Sequence, residues 1–188
     1  DYNEKNLIKK IEKYQNNSSI ALISDAGSPL ISDPGYNLVK DYIEKKLPIT
    51  TIPGPSSVIS ALQLSGLPIN NFKFLGFVSK SKMAMSKELN QIKESHTTSV
   101  IFISSSRINN FLEIAHSIKI DKKISICKEI TKKNEMVFRG YIDDVKNQMS
   151  KDIKFTKGEF VVVIDGKNIK VPKKMSDEIK KQIKTLLR

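Results

Sequence analysis

Apolar residues change their spacing repeatedly along the first third of this chain. Leu7, Ile8, Ile11 and Tyr14 recur at helical intervals, so residues 3–15 read as an amphipathic helix. SIALIS, residues 19–24, is a nearly continuous apolar run ending in turn residues, the pattern of a short buried parallel strand. Tyr36, Leu38, Val39, Tyr42 and Ile43 give a second helical face, residues 47–52 a second short strand, and PGPSS opens a helix over residues 55–65. Helix, strand, helix, strand, helix is the alternation of an open α/β sheet.

GLP at residues 66–68 ends that helix, and the texture changes. Phe72, Phe74 and Phe77 recur in strand fashion, SVIFIS at 99–104 is β-rich, and residues 107–118 return to helical periodicity. KISICKEI at 123–130 and EFVVVIDG at 159–166 read as further strands. The pattern therefore divides the chain into an α/β domain over residues 1–70, a second over 71–166, and a basic linker with a short helix over 167–188, where Ile179, Ile183, Leu186 and Leu187 keep helical spacing.

With 188 residues, 39% of them hydrophobic, the chain can bury a core in one domain or two small ones. No run approaches the roughly 18 apolar residues of a membrane span, and no signal peptide opens the sequence, so it reads as cytoplasmic and without a membrane partner. One cysteine, Cys127, and two histidines, His96 and His116, exclude a disulfide framework and argue against a metal site. Cys127 falls within an apolar strand, where a buried and inert thiol is expected. Because the sequence begins at Asp1 within an amphipathic stretch, it reads as a fragment whose upstream residues carry part of any site.

The net charge of +12 is unevenly placed. Residues 1–66 hold seven basic and seven acidic side chains, and residues 67–188 hold 25 and 13. Such asymmetry suits a polyanionic partner, although 29 of the 32 basic residues are Lys, and solvated lysine faces are common.

Two loops carry candidate chemistry. SDAGSPLISDPG, residues 24–35, follows the first expected strand, and IPGPSS, residues 52–57, follows the second. In open α/β sheets ligands bind outside the carboxyl ends of the strands, where these loops lie. Gly27 and Gly35 permit positive φ and close backbone approach, while Pro29 and Pro34 stiffen the segment. Asp25 is placed to accept from loop amides in an Asx turn, or from a ligand's hydroxyl or ammonium group. Asp33 is expected to cap the following helix, and Ser56 and Ser57 to cap the next. Adjacent parallel strands would set the two loops side by side as one cleft wall. Neither loop is a phosphate-binding GxxxxGK[ST] or GxGxxG motif.

SDAGSPLISDPGY, IPGPSSVISALQLSGLP, FKFLGF, KEITKKNEMVFRG and KGEFVVVIDG, in this order, resemble the bacterial small-subunit ribosomal RNA cytidine 2'-O-methyltransferases, of the tetrapyrrole-methylase-like superfamily. The resemblance covers residues 1 to about 166. It implies two α/β domains of tetrapyrrole-methylase type, with S-adenosyl-L-methionine in the cleft between them, and a homodimer acting on the small ribosomal subunit. By this resemblance Asp25, Ala26, Gly27, Ser28 and Pro29 line the cofactor, Pro53, Gly54, Pro55 and Ser56 lie beside them, and Gly158 and Glu159 close the site from the second domain. Lys128, Glu129, Thr131, Arg139 and Gly140 match a second-domain signature. Asp25 is the candidate base for the ribose hydroxyl, and Lys80, Lys82, Arg107, Lys128, Lys132 and Arg139 are the candidate RNA contacts.

The sequence departs from the family's pattern in three places. The first strand and its glycine-containing loop precede Asp1, Ser104–Ser106 replace an acidic and histidine-bearing stretch ahead of Arg107, and the loop after Phe77 lacks a proline. Two other functions remain open on the residues: methylation of a corrin, porphyrin or other small molecule, and a non-catalytic RNA-binding or ribosome-assembly module.

Overall fold

The computed structural model describes residues 18–151 and 156–166, with residues 8, 10, 11 and 14 as isolated positions. Most of the helix expected over residues 3–15, and all of the linker and helix expected over 167–188, lie outside the described residues. Two helices come first, α1 (Tyr36–Glu44) and α2 (Ser57–Ser65). The remainder runs β1 (Phe72–Phe77), α3 (Lys82–Glu94), β2 (Thr98–Ser104), a 3-10 turn (Ser105–Arg107), α4 (Ile108–Ser117), β3 (Ile124–Lys128), β4 (Met136–Gly140), α5 (Ile142–Met149) and β5 (Glu159–Ile164).

All five strands form one sheet in the order β1-β2-β5-β3-β4. β1 and β2 are parallel, whereas β5 runs antiparallel to both β2 and β3, and β4 antiparallel to β3. The carboxyl ends of β1, β2 and β3 therefore share one edge of the sheet with the start of β5. Ser104 is in register with Glu159, and Lys128 with Phe160.

Period-two alternation sorts the strand residues onto two buried faces. Ile101, Ile103, Ile124, Ile126, Phe160, Val162 and Ile164 face a core shared with Met85, Leu89 and Ile92 of α3, Phe111 and Leu112 of α4, and Val145 and Met149 of α5. Val100, Cys127, Val161 and Val163 face Val58, Ala61 and Leu62 of α2. Each fully buried aliphatic or aromatic side chain contributes about 1.5–3 kcal/mol, so this double-sided core holds the molecule together. Cys127 is fully buried, and burial raises its thiol pKa, which fits the inert role expected of it.

The elements that pattern alone did not reveal have local signals of their own. α3 starts at Ser81, whose hydroxyl accepts from the Ala84 amide at 3.1 Å, and buries Met85, Leu89 and Ile92 at helical spacing. In α5, Asp144 accepts from the Tyr141 amide at 3.0 Å, and Asp143 and Asp144 place negative charge at the positive end of the helix. β4 is an edge strand of five residues that buries only Phe138, too short for a clear alternation.

The strands expected at residues 19–24 and 47–52 do not form. Both segments are irregular, with Ile23 84% and Ile52 90% exposed. A strand exists only where a neighbour completes its ladder, and every described strand lies between residues 72 and 164.

Candidate functional site

Although the two motif loops lack their expected strands, they meet. Ser28 Oγ donates to the Pro55 carbonyl at 3.1 Å, tying DAGSP to IPGPS. Gly27 sits at φ +75°, and a Cβ there would meet nothing within 4 Å, so its backbone is open to an approaching group. Asp25 and Ala26 are exposed beside it, Pro29 is half-buried, and Pro53, Gly54 and Pro55 of the second loop are exposed. The Asp25 carboxylate makes no hydrogen bond to a described residue, so of its two alternatives the Asx turn is not formed.

The capping expectations are corrected as well. Gly35, at φ 129°, precedes α1 with no side-chain cap, and Asp33 instead accepts from Ser24 Oγ at 2.5 Å, closing the loop on itself. Ser56 occupies the cap position of α2 but its hydroxyl does not cap the helix. The first amides of α2 thus lack a side-chain acceptor at the Pro53–Ser56 loop.

The loop also touches the sheet. Gly76, at φ +71°, lies at a break in the β1–β2 register, where a Cβ would stand 3.7 Å from Ser32 Oγ. A lone glycine within a strand pattern is the sequence sign of such a bulge.

Gly158 and Glu159 fall at the shared carboxyl edge, in a tightly bonded cluster. A Cβ on Gly158, at φ +109°, would lie 2.6 Å from Glu129 Cγ, so a side chain there would strain the backbone and displace Glu129. Glu129 Oε1 accepts from the Glu159 amide at 2.9 Å and from Lys132 Nζ at 3.0 Å, while Lys132 Nζ also reaches Glu159 Oε2 at 2.9 Å. The Glu159 amide first, and Lys132 second, hold the Glu129 carboxyl below the usual glutamate range. Lys132 is raised, chiefly by its bonds to Glu159 and Glu129. Glu129 and Thr131 both take positive φ, 52° and 65°, and Glu135 Oε2 accepts from the Thr131 amide at 2.6 Å. This turn of paired charges went unrecognised in the sequence, where KEITKKNE shows the residues but not who meets whom.

The six candidate RNA contacts divide sharply. Lys80 and Lys82 are exposed, Lys82 in a loose 3.9 Å pair with Glu113. Lys132 is neutralised by its two glutamates. Arg107 donates to the Val78 carbonyl at 2.8 Å, linking the ends of β1 and β2. Arg139 Nε donates to the Leu64 carbonyl at 2.9 Å, clamping the end of α2 to β4. Lys128 is buried at 3% exposure and is therefore not a surface contact. Among the described residues no cluster of His, Cys, Asp and Glu is arranged to hold a metal, and no helix is long and apolar enough to cross a membrane.

Comparison with known proteins supplies the setting for this geometry. The chain is 36% identical over 177 residues to "Ribosomal RNA small subunit methyltransferase I" of Buchnera aphidicola subsp. Baizongia pistaciae, covering 94% of this chain and 61% of that protein. The protein of the same name from Hydrogenobaculum sp. is 38% identical over 162 residues, 85% of this chain and 69% of that one. This chain thus spans about three-fifths of the length of the Buchnera relative. In fold it is similar to the crystal structure of the methyltransferase CobJ, with a TM-score of 0.60 at 15% identity over 87% of this chain and 72% of that one. Since residues 1–146 match the sequence model of the Tetrapyrrole (Corrin/Porphyrin) Methylases, the chain belongs to that family.

Proposed function

We infer that this chain is part of an S-adenosylmethionine-dependent methyltransferase acting on the RNA of the small ribosomal subunit, at the 2'-oxygen of a cytidine ribose. The observation that carries the reading is the 36% identity to a protein of that general name, across an alignment that takes in 94% of the chain and so includes both motif loops. The charge excess beyond residue 66 supports an RNA partner.

The residues present fit the cofactor. Gly27 leaves its backbone open, the Ser28–Pro55 bond makes the two loops one wall, and Asp25 keeps a carboxylate with no protein partner among the described residues. Asp25, Ala26, Gly27, Ser28 and Pro29 with Pro53, Gly54, Pro55 and Ser56, together with Gly158 and Glu159, would hold it. When bound, the cofactor supplies an electrophilic methyl group on sulfur. The chain's task is to align the ribose oxygen with that methyl and to keep water away. A 2'-hydroxyl is a weak nucleophile at neutral pH, and Asp25 is the group available to accept its proton. Lys80 and Lys82, exposed just beyond β1, would grip phosphates without reading sequence. The reading carries with it the arrangement of residues 1–70 and 71–166 as two domains about the cofactor, a homodimer, and a cytoplasmic place of action.

The test is methylation of purified small ribosomal subunits by the chain extended to the length of its relatives, mapped by primer extension sensitive to 2'-O-methylation. A new stop at one cytidine is the expected result. Cofactor binding with no modified ribose would overturn the RNA assignment.

A further inference from the structure

The second motif loop runs directly into α2, so the position of that helix sets the position of Pro53–Ser56. Helical bonding begins at Ser56, whose carbonyl accepts from the Ser60 amide at 2.9 Å. α2 lies on the sheet through Val58, Ala61 and Leu62, packed against Val100, Cys127, Val161 and Val163. Attraction between apolar side chains is non-directional, so this contact holds the helix down without fixing its place along its own axis. The start of the helix has no side-chain cap to fix it either.

The far end is fixed by Arg139. Its Nε and Nη2 both donate to the Leu64 carbonyl, at 2.9 and 2.5 Å. A cation thus meets a carbonyl of the last turn, at the negative end of the helix dipole. Arg139 stands on β4, in register with Ser125 of β3, and α5 braces its backbone. Gln148 Nε2 donates to the Arg139 carbonyl at 2.8 Å, and Gln148 Oε1 accepts from its amide at 3.3 Å. Near the other end of α2, Ser28 Oγ donates to the Pro55 carbonyl at 3.1 Å. Leu64 is eight residues beyond Ser56, about 12 Å along the helix axis, so the guanidinium engaged there is well separated from the loop.

We propose that Arg139 is a positioning residue for the cofactor: by pinning the carboxyl end of α2 to the sheet, it sets the place of the helix and so of the Pro53–Ser56 wall. This rests on the cofactor reading of the two loops, and it gives Arg139, expected from the sequence to contact RNA, a task inside the protein. Arg139 is exposed on an edge strand, where solvent competes for its bonds, so replacing it leaves the core untouched.

Titration calorimetry with S-adenosylmethionine and amide hydrogen exchange by mass spectrometry test this together, on the chain extended to the length of its relatives. Arg139→Met should weaken cofactor binding about tenfold, the equivalent of one charge-assisted hydrogen bond, whereas Arg139→Lys, which keeps a donor for the Leu64 carbonyl, should stay within about threefold of wild type. Without cofactor, the peptide of residues 52–65 should exchange faster in Arg139→Met than in wild type, and that of residues 98–104 at the same rate. Thr98→Val controls for general loosening. It breaks the 2.7 Å bond from Thr98 Oγ1 to the Pro68 carbonyl, beyond the end of α2, and should bind cofactor as wild type does. Wild-type affinity in Arg139→Met would overturn the proposal, as would an equal loss in Thr98→Val or no recovery in Arg139→Lys. If the wild type itself binds no cofactor, the cofactor reading fails, and faster exchange in Arg139→Met then leaves Arg139 as a clamp on α2 alone. If the wild type binds and Arg139→Met binds equally well, the positioning role fails and the cofactor reading stands.

Discussion

Ile23 lies in SIALIS and Val162 in EFVVVI, both six-residue apolar runs, yet Ile23 is 84% exposed and Val162 fully buried. The difference lies in neighbours. β5 is bonded on one side to β2 and on the other to β3, and each face of it is covered by helices. Residues 19–24 have no strand beside them among the described residues. The sheet region is thus held by packing, whereas the loop region keeps its shape through proline, glycine and a few polar bonds: Ser24 to Asp33, Ser28 to Pro55. The residues proposed to hold the ligand belong to the region that packs least.

That contrast predicts opposite sensitivities. Phe111→Ala, emptying a fully buried position, should cost about 3–5 kcal/mol in chemical denaturation, while Ile23→Ala should stay within about 0.5 kcal/mol. Similar losses at both sites would erase the distinction. Next in size is Gly158→Ala, expected to cost about 1–3 kcal/mol because the new Cβ meets Glu129 and the backbone is at φ +109°. Gly27→Ala, with open space around it, should cost less than Gly158→Ala.

The smallest effect concerns the paired charges at the sheet edge. Glu129 is depressed, so its contribution is present above the unfolded glutamate value of about 4.3 and is lost as pH falls through the folded one. Lys132 is raised, so its contribution is present below about 10.4 and is lost as pH rises through the folded value. Lys132→Met should remove the alkaline loss and shrink the acid one, which persists through the Glu159 amide. Because Lys132 and Glu159 are well exposed, the change should be about 0.5 kcal/mol or less by denaturation at a series of pH values.

Periodicity made most of the sheet region legible in the sequence: β1, β2, β3, β5 and α4 all fall where apolar spacing put them. α3 and α5 were missed although each carries a cap or first-turn acid, because short apolar stripes separated by lysines look like loops. The loops were legible by residue type, since Gly and Pro announce their backbone needs locally. Their bonding was not: whether Asp33 caps a helix or closes onto Ser24, or whether Lys128 is buried and Lys132 paired, depends on contacts between residues far apart in the chain. The two false strands share this cause, since an apolar run states a preference and only a neighbour completes it.

The central claim is that DAGSP and IPGPS together form a cofactor wall whose backbone at Gly27 must stay open. Titration calorimetry of S-adenosylmethionine tests it, using the wild type and Gly27→Val, both extended to the length of the relatives. The account predicts saturable heat for the wild type and none for Gly27→Val, with the circular dichroism of the two indistinguishable. No heat from the wild type, or equal affinity in both, would contradict it.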